Sequence, residues 1–147
     1  MSFKAHVTHA LGEGSFHKGL GALKPVDACH ISTSNPRALA GSADVDSALA
    51  TDQPNAHRWD YVVGKSNGKA VTTHWFEVHP AGSPKNVAEV ERKLAWLAGW
   101  LLGNPLSQYP KDIVWVASGK STFNTRSPAV KALAAKGCRF VGGHLAL

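Results

Sequence analysis

Trp59-Asp60-Tyr61-Val62-Val63-Gly64-Lys65-Ser66-Asn67-Gly68-Lys69-Ala70-Val71-Thr72-Thr73-His74-Trp75-Phe76-Glu77-Val78-His79 is the stretch on which the fold turns. Residues 59–64 are rich in aromatic and β-branched side chains, which suit a pleated, half-buried strand. Asn67-Gly68 is a strong hairpin turn signal, because both residues tolerate the positive φ such turns need. Residues 71–78 form the returning strand, and Pro80-Ala81-Gly82-Ser83-Pro84 ends it. A helix then starts near Lys85 or Asn86. Val87, Val90, Leu94, Leu97 and Leu101 recur along it at alternating steps of three and four, which is one helical stripe. Gly103-Asn104-Pro105 stops it.

Downstream, residues 113–117 (Ile-Val-Trp-Val-Ala) read as a buried strand. Ser127-Pro128 opens a further helix with proline at its first position, and Gly137 closes it. Residues 138–141 form a last strand, followed by a tail that adds at most a short one. Upstream the chain is loop-rich. Gly12, Gly14, Gly19 and Gly21 interrupt residues 11–23, where Phe16, Leu20 and Leu23 stand at helical spacing behind Ser15. A short, glycine-weakened helix is expected there, with residues 1–14 flexible before it. Residues 29–33 suit a short strand, and Asn35-Pro36 a turn. The expected order is helix, strand, strand, helix, strand, helix, strand. Such alternation predicts an α/β sandwich around a mixed sheet, with a parallel, right-handed crossover through the long helix.

The 147 residues fit a single domain spanning 1–147. With 44% hydrophobic and 18% charged residues, the composition excludes a disordered chain. No apolar run reaches the ~18 residues of a membrane helix, and the first residues lack the apolar core of a signal peptide. A cytoplasmic location without membrane contact is the resulting expectation. Sixteen Lys and Arg against ten Asp and Glu give a net charge of +6, a field that favours polyanions such as nucleic acid. Cys29 and Cys138 make no CxxC pair and read as free thiols, and a zinc site at Cys29 and His30 lacks a compact second ligand pair.

Strand alternation puts Trp75, Glu77 and His79 on one face of the returning strand, with His74, Phe76 and Val78 on the other. On the first strand Asp60 and Val62 point one way, and Trp59, Tyr61 and Val63 the other. A turn centred near Asn67-Gly68 brings Asp60 opposite Glu77, at the open end of the hairpin and just before a helix N-terminus. Adjacent carboxylates repel unless a cation joins them. Oxygen ligands suit Mg²⁺ or Mn²⁺, with the backbone carbonyl of Val78 as a third protein ligand. Such an ion activates water and holds a phosphate, and His79 is placed to act as general base or to orient that water.

Asp60, a hairpin, then Glu77-Val78-His79 and a helix resemble the PD-(D/E)xK, or restriction-endonuclease-like, nuclease superfamily. The resemblance runs over residues 59–141, with residues 11–23 as the leading helix. It implies a restriction-endonuclease-like α/β sandwich and Mg²⁺-dependent cleavage of DNA or another nucleic acid. Asp60 and Glu77 would be the metal ligands, and His79 would stand where the family usually has lysine. The family sometimes moves that lysine to the next helix, which nominates Lys93 or Lys85. A carboxylate on the leading helix serves some members as an extra ligand, which nominates Glu13. Because the superfamily contains inactive members, a non-catalytic interaction module on the same fold is the alternative.

Asp44 and Asp46 would share a strand face and extend the acidic pocket, or serve an unrelated α/β enzyme; more often such a pair caps a short helix, here residues 47–49. Trp96 and Trp100 lie off the main stripe. They read as second-face burial of a sandwiched helix, or as an aromatic patch for a homodimer or a protein partner. Arg58, Lys65, Lys69, Lys120 and Arg126 fall at strand ends and loops, where phosphate contacts occur. Ser118-Gly119-Lys120-Ser121 ends as a nucleotide-binding loop does but lacks its earlier glycine, and a strand fills that stretch, so this motif is excluded.

Overall fold

The computed structural model describes residues 2–147. Its centre is a five-stranded mixed sheet formed by β2 (Leu39–Asp44), β3 (Tyr61–Ser66), β4 (Val71–His79), β5 (Lys111–Ala117) and β6 (Cys138–Phe140), in that spatial order. The first three strands are antiparallel and the last three parallel. A separate parallel pair joins β1 (Ile31–Ser32) to β7 (Leu145–Ala146). The helices are α1 (Phe3–Leu11), α2 (Pro25–Ala28), α3 (Val45–Leu49), α4 (Pro84–Leu101) and α5 (Pro128–Ala135). None is long and apolar enough to cross a membrane among the described residues.

The hairpin sets the register. Tyr61 pairs with Phe76 and Ser66 with Val71, leaving Asn67 to Ala70 as a four-residue connection. The Asn67 carboxamide oxygen accepts from the amides of Lys69 and Ala70, and Gly68 takes φ +91°. This turn is two residues longer than a bare Asn-Gly turn, and the asparagine side chain stands in for the missing backbone acceptor.

Each face of the sheet has its own core. Val62, Trp75, Trp115 and Phe140 pack under α1, α3, α4 and α5. Tyr61, Val63, Phe76, Val114 and Val116 pack under Leu23, Ile31, Leu145 and Leu147. On α4 the five stripe residues Val87, Val90, Leu94, Leu97 and Leu101 are all buried, as their spacing predicts. Trp59 departs from the expected alternation. It is buried in the core under the helices, on the opposite side from Tyr61, because the chain leaves the ladder at Asp60.

The N-terminal half differs most from expectation. The helix expected within residues 11–23 does not form; residues 3–11 are helical instead. Phe3, Val7 and Leu11 make a buried stripe, Ser2 Oγ accepts from the Ala5 amide at 3.1 Å, and Gly12 ends the helix at φ +98°. Four glycines make the 12–21 stretch too costly to order as a helix. It crosses the outer edge of β2, where His17 exchanges backbone hydrogen bonds of 2.9 and 2.8 Å with Ser42. That bridge occupies part of an otherwise open sheet edge. Strand β2 itself was not expected. Its Leu-Ala-Gly-Ser-Ala-Asp sequence has no β-branched or aromatic residue, and it becomes a strand by pairing with β3.

Candidate functional site

Parallel pairing of β4 with β5 places their carboxyl ends side by side, and α4 and α5 both start beyond that end. Glu77 lies two residues from the end of β4, on the face covered by α4. Asp60 lies one residue before β3, where the ladder stops. The two side chains continue the hairpin where the backbone ladder has stopped. The Asp60 amide donates to Glu77 Oε2 at 2.8 Å, and the Val78 amide donates to Asp60 Oδ2 at 3.0 Å. The Asp60 carbonyl is turned to α3 instead, accepting from the Val45 amide at 2.9 Å. Asp60 and Glu77 thus converge on one side of the hairpin, as the register predicts.

Lys93 completes the group. It projects from the second turn-pair of α4 and its ammonium donates to Glu77 Oε1. Glu77 has no solvent exposure, whereas Lys93 keeps 22% of its side chain accessible. The helix–lysine reading of the resemblance nominated Lys93 or Lys85; the structure brings Lys93 in and leaves Lys85 exposed at the start of α4. The reason is helical phase. Lys93 follows Val90 by three and precedes Leu94 by one, so it stands at the border of the buried stripe.

One ammonium faces two carboxylates in a desolvated pocket. Burial, only partly offset by Lys93, pushes the Asp60 carboxyl up to about 6. Burial and the neighbouring Asp60 raise Glu77 well above the usual carboxylate range, against the pull of Lys93. Burial would lower Lys93, but Glu77 and Asp60 together hold its ammonium above the ordinary lysine value. With both carboxylates ionised the trio would carry a surplus of negative charge, and a further cation would favour that state.

The remaining nominated residues are placed as follows. His79 Nε2 lies 2.8 Å from Glu89 Oε2, and burial followed by the field of Lys93 lowers its pKa, so the neutral ring is favoured. Glu89 was not nominated, although it stands one helical turn before Lys93, on the same face of α4. Asp44 caps α3, accepting from the Ser47 amide at 2.9 Å and from its hydroxyl at 2.8 Å. Asp46 is held by Arg58 Nε at 3.0 Å, and its charge is felt by both Asp60 and Lys93. Glu13 is exposed after α1 and lines a shallow cleft with His17, Asp44 and Ser47. An enlarged acidic pocket is not formed: among the described residues, no three or more His, Cys, Asp or Glu side chains gather in a metal-ligating arrangement. A hard divalent cation could still be met by Asp60 and Glu77, since Mg²⁺ commonly takes one or two protein carboxylates and fills the rest with water and phosphate.

Trp96 and Trp100 stack at 5.6 Å between centroids, Trp100 meets Trp75 edge-on, and Trp96 Nε1 donates to Gln53 Oε1 at 3.0 Å. Both indoles are half-buried and engaged within the chain, which accounts for them as packing. His74, on the opposite face from Glu77, meets Asp112 at 3.1 Å. Comparison with protein-family models, with curated proteins and with solved structures returns no match to this chain.

Proposed function

We propose that this protein is a metal-dependent phosphodiester hydrolase of the nuclease kind, built on a restriction-endonuclease-like α/β sandwich of the PD-(D/E)xK superfamily. The observation that carries this reading is Lys93 reaching from α4 to Glu77 beside Asp60. The order of α1, the hairpin, α4 and parallel β5 agrees with it, as does the net charge of +6.

In this reading Asp60 and Glu77 hold Mg²⁺ or Mn²⁺, with the Val78 carbonyl as third protein ligand. Bound there, the ion would supply Lewis acidity and a water of lowered pKa. Lys93 favours the ionised form of Glu77 and orients it, and its partly accessible ammonium is placed to steady charge on an incoming phosphate. His79 is engaged by Glu89, so orienting the attacking water falls to Lys93 rather than to His79. The test is incubation of the protein with supercoiled and single-stranded DNA, and with RNA, in Mn²⁺. Wild type should cut at least one of them, and Asp60→Asn and Glu77→Gln should lose at least ~10²-fold in rate. No cleavage by wild type, or equal cleavage by Glu77→Gln, defeats the hydrolase.

A second reading is favoured by the same geometry. Both oxygens of Glu77 already have partners, as suits a structural tie in an inactive interaction module on the same fold. Calorimetric titration separates the two: Mn²⁺ binding lost in Asp60→Asn supports the hydrolase, and no binding to wild type supports the module.

A further inference from the structure

The positive charge of this chain is not spread evenly. Residues 113–147 contain five basic residues, Lys120, Arg126, Lys131, Lys136 and Arg139, and no acidic one, whereas residues 1–60 carry five basic and six acidic. Lys136 and Arg139 are paired, with Glu91 at 3.3 Å and Asp112 at 2.8 Å. Lys120 and Arg126 are exposed, and neither pairs with an acidic group among the described residues. Both lie on the loop that joins β5 to α5, at the carboxyl end of the parallel strands. Ser118-Gly119-Lys120-Ser121, which is no nucleotide-binding loop, opens it.

That loop is tied to the site strand and built around its own side chains. The Ser118 amide donates to the His79 carbonyl at 3.2 Å, and the Thr122 amide to the Ala81 carbonyl at 3.0 Å. Phe123 packs on Trp115 at 6.1 Å, and the Trp115 indole donates to the same His79 carbonyl. Ser121 Oγ bonds both ways with Phe123, and Asn124 Oδ1 accepts from the Arg126 amide at 2.8 Å. These bonds hold the loop between two anchors while the cations at 120 and 126 stay outward. Acidic Asp44, Asp46 and Asp60 lie on the other flank of the same end of the sheet, so the field across this end runs from negative to positive.

We propose that residues 118–127, through Lys120 and Arg126, form the surface that contacts the sugar–phosphate backbone of a polynucleotide and lays it beside Asp60, Glu77 and Lys93. The proposal rests on the reading of this protein as one that acts on phosphodiesters, and it assigns which part of the molecule holds the chain being cut. Phosphate contacts of this sort fix position rather than sequence.

The experiment is fluorescence anisotropy of labelled duplex DNA, single-stranded DNA and single-stranded RNA of one sequence, in EDTA, between about 50 and 200 mM salt. Each phosphate neutralised contributes about 0.9 to the salt slope on duplex and about 0.7 on single strands. Removing both cations in Lys120→Ala/Arg126→Ala should therefore lower the slope by about 1.8 or about 1.4. Lys18→Ala/Lys24→Ala, which removes equal charge from exposed positions elsewhere, should leave it nearly unchanged. The proposal is overturned if wild type shows no salt-dependent binding to any of the three, or if the control pair lowers the slope as much. Loss of slope in Lys120→Ala/Arg126→Ala without cleavage by wild type would support this surface and defeat the hydrolase. Cleavage by wild type with an unchanged slope in the double variant would do the reverse.

Discussion

Replacing Lys93 with methionine tests the electrostatics of the site without any substrate. Methionine keeps most of the aliphatic stem and removes the charge. In chelator, Glu77 would be left fully buried with the Asp60 amide as its remaining partner. Two outcomes compete. An ionised, unpaired buried carboxylate costs about 3–5 kcal/mol. Taking up a proton instead costs about 1.4 kcal/mol for each pH unit above the unfolded value of 4.5. A raised folded pKa means that the native state binds the proton more tightly than the unfolded chain does. The associated stability is present below pH 4.5 and is lost as pH rises through the folded value. Lys93 moderates that loss in the wild type, and without it the decline continues to higher pH. Near pH 5 the substitution should therefore cost only about 1 kcal/mol, from one lost hydrogen bond. The cost should then climb by about 1.4 kcal/mol per pH unit once Glu77 ionises in the wild type, levelling at about 3–5 kcal/mol. With a urea m-value of about 1–3 kcal/mol/M, the midpoint moves by at least ~1 M at pH 8. The assay is urea denaturation in EDTA at pH 5, 6, 7 and 8. Adding Glu77→Gln should recover part of the loss at pH 8, because the fully buried charge is then gone and only that of Asp60 remains. A pH-independent cost below about 1 kcal/mol would refute the buried-charge argument.

Three other substitutions bear on the same molecule. Asp60→Asn retains an oxygen for the Val78 amide but cannot ionise; since the Asp60 carboxyl rises from 3.8 to about 6, wild type should lose about 3 kcal/mol between those pH values and the variant should not, making it the more stable in chelator at pH 7, and parallel stability–pH curves would contradict this. Gly41→Ala places a Cβ 2.2 Å from the Phe16 ring at φ +142° and should cost about 3 kcal/mol, whereas Gly68→Ala, at φ +91° with nothing within 4 Å, should cost only about 1 kcal/mol, as read from thermal or urea unfolding.

Local patterns specify the second half of this fold and the meeting of Asp60 with Glu77. The α4 stripe, the two hairpin strands, β5, α5 and β6 each announce themselves within a few residues, because helical and strand periodicities are local. The two carboxylates also follow from local information, since a short connection sets the register of everything across it. Asp44 as a cap was legible for the same reason. The stripe Phe3, Val7 and Leu11 behind Ser2 was available too, but nine-residue helical signals are weak beside a glycine-rich neighbour. The rest follows from contacts between segments far apart in the chain. Strand β2 is composed of small residues and exists because β3 offers it a partner. Residues 31–32 pair with 145–146 across nearly the whole chain, which no window of sequence contains. The choice of Lys93 over Lys85, the engagement of His79 by Glu89 and of Asp46 by Arg58 depend on how α4 and the 51–58 loop settle on the sheet. Those energies come from burial and charge pairing between distant segments, and they exist only once the segments have met.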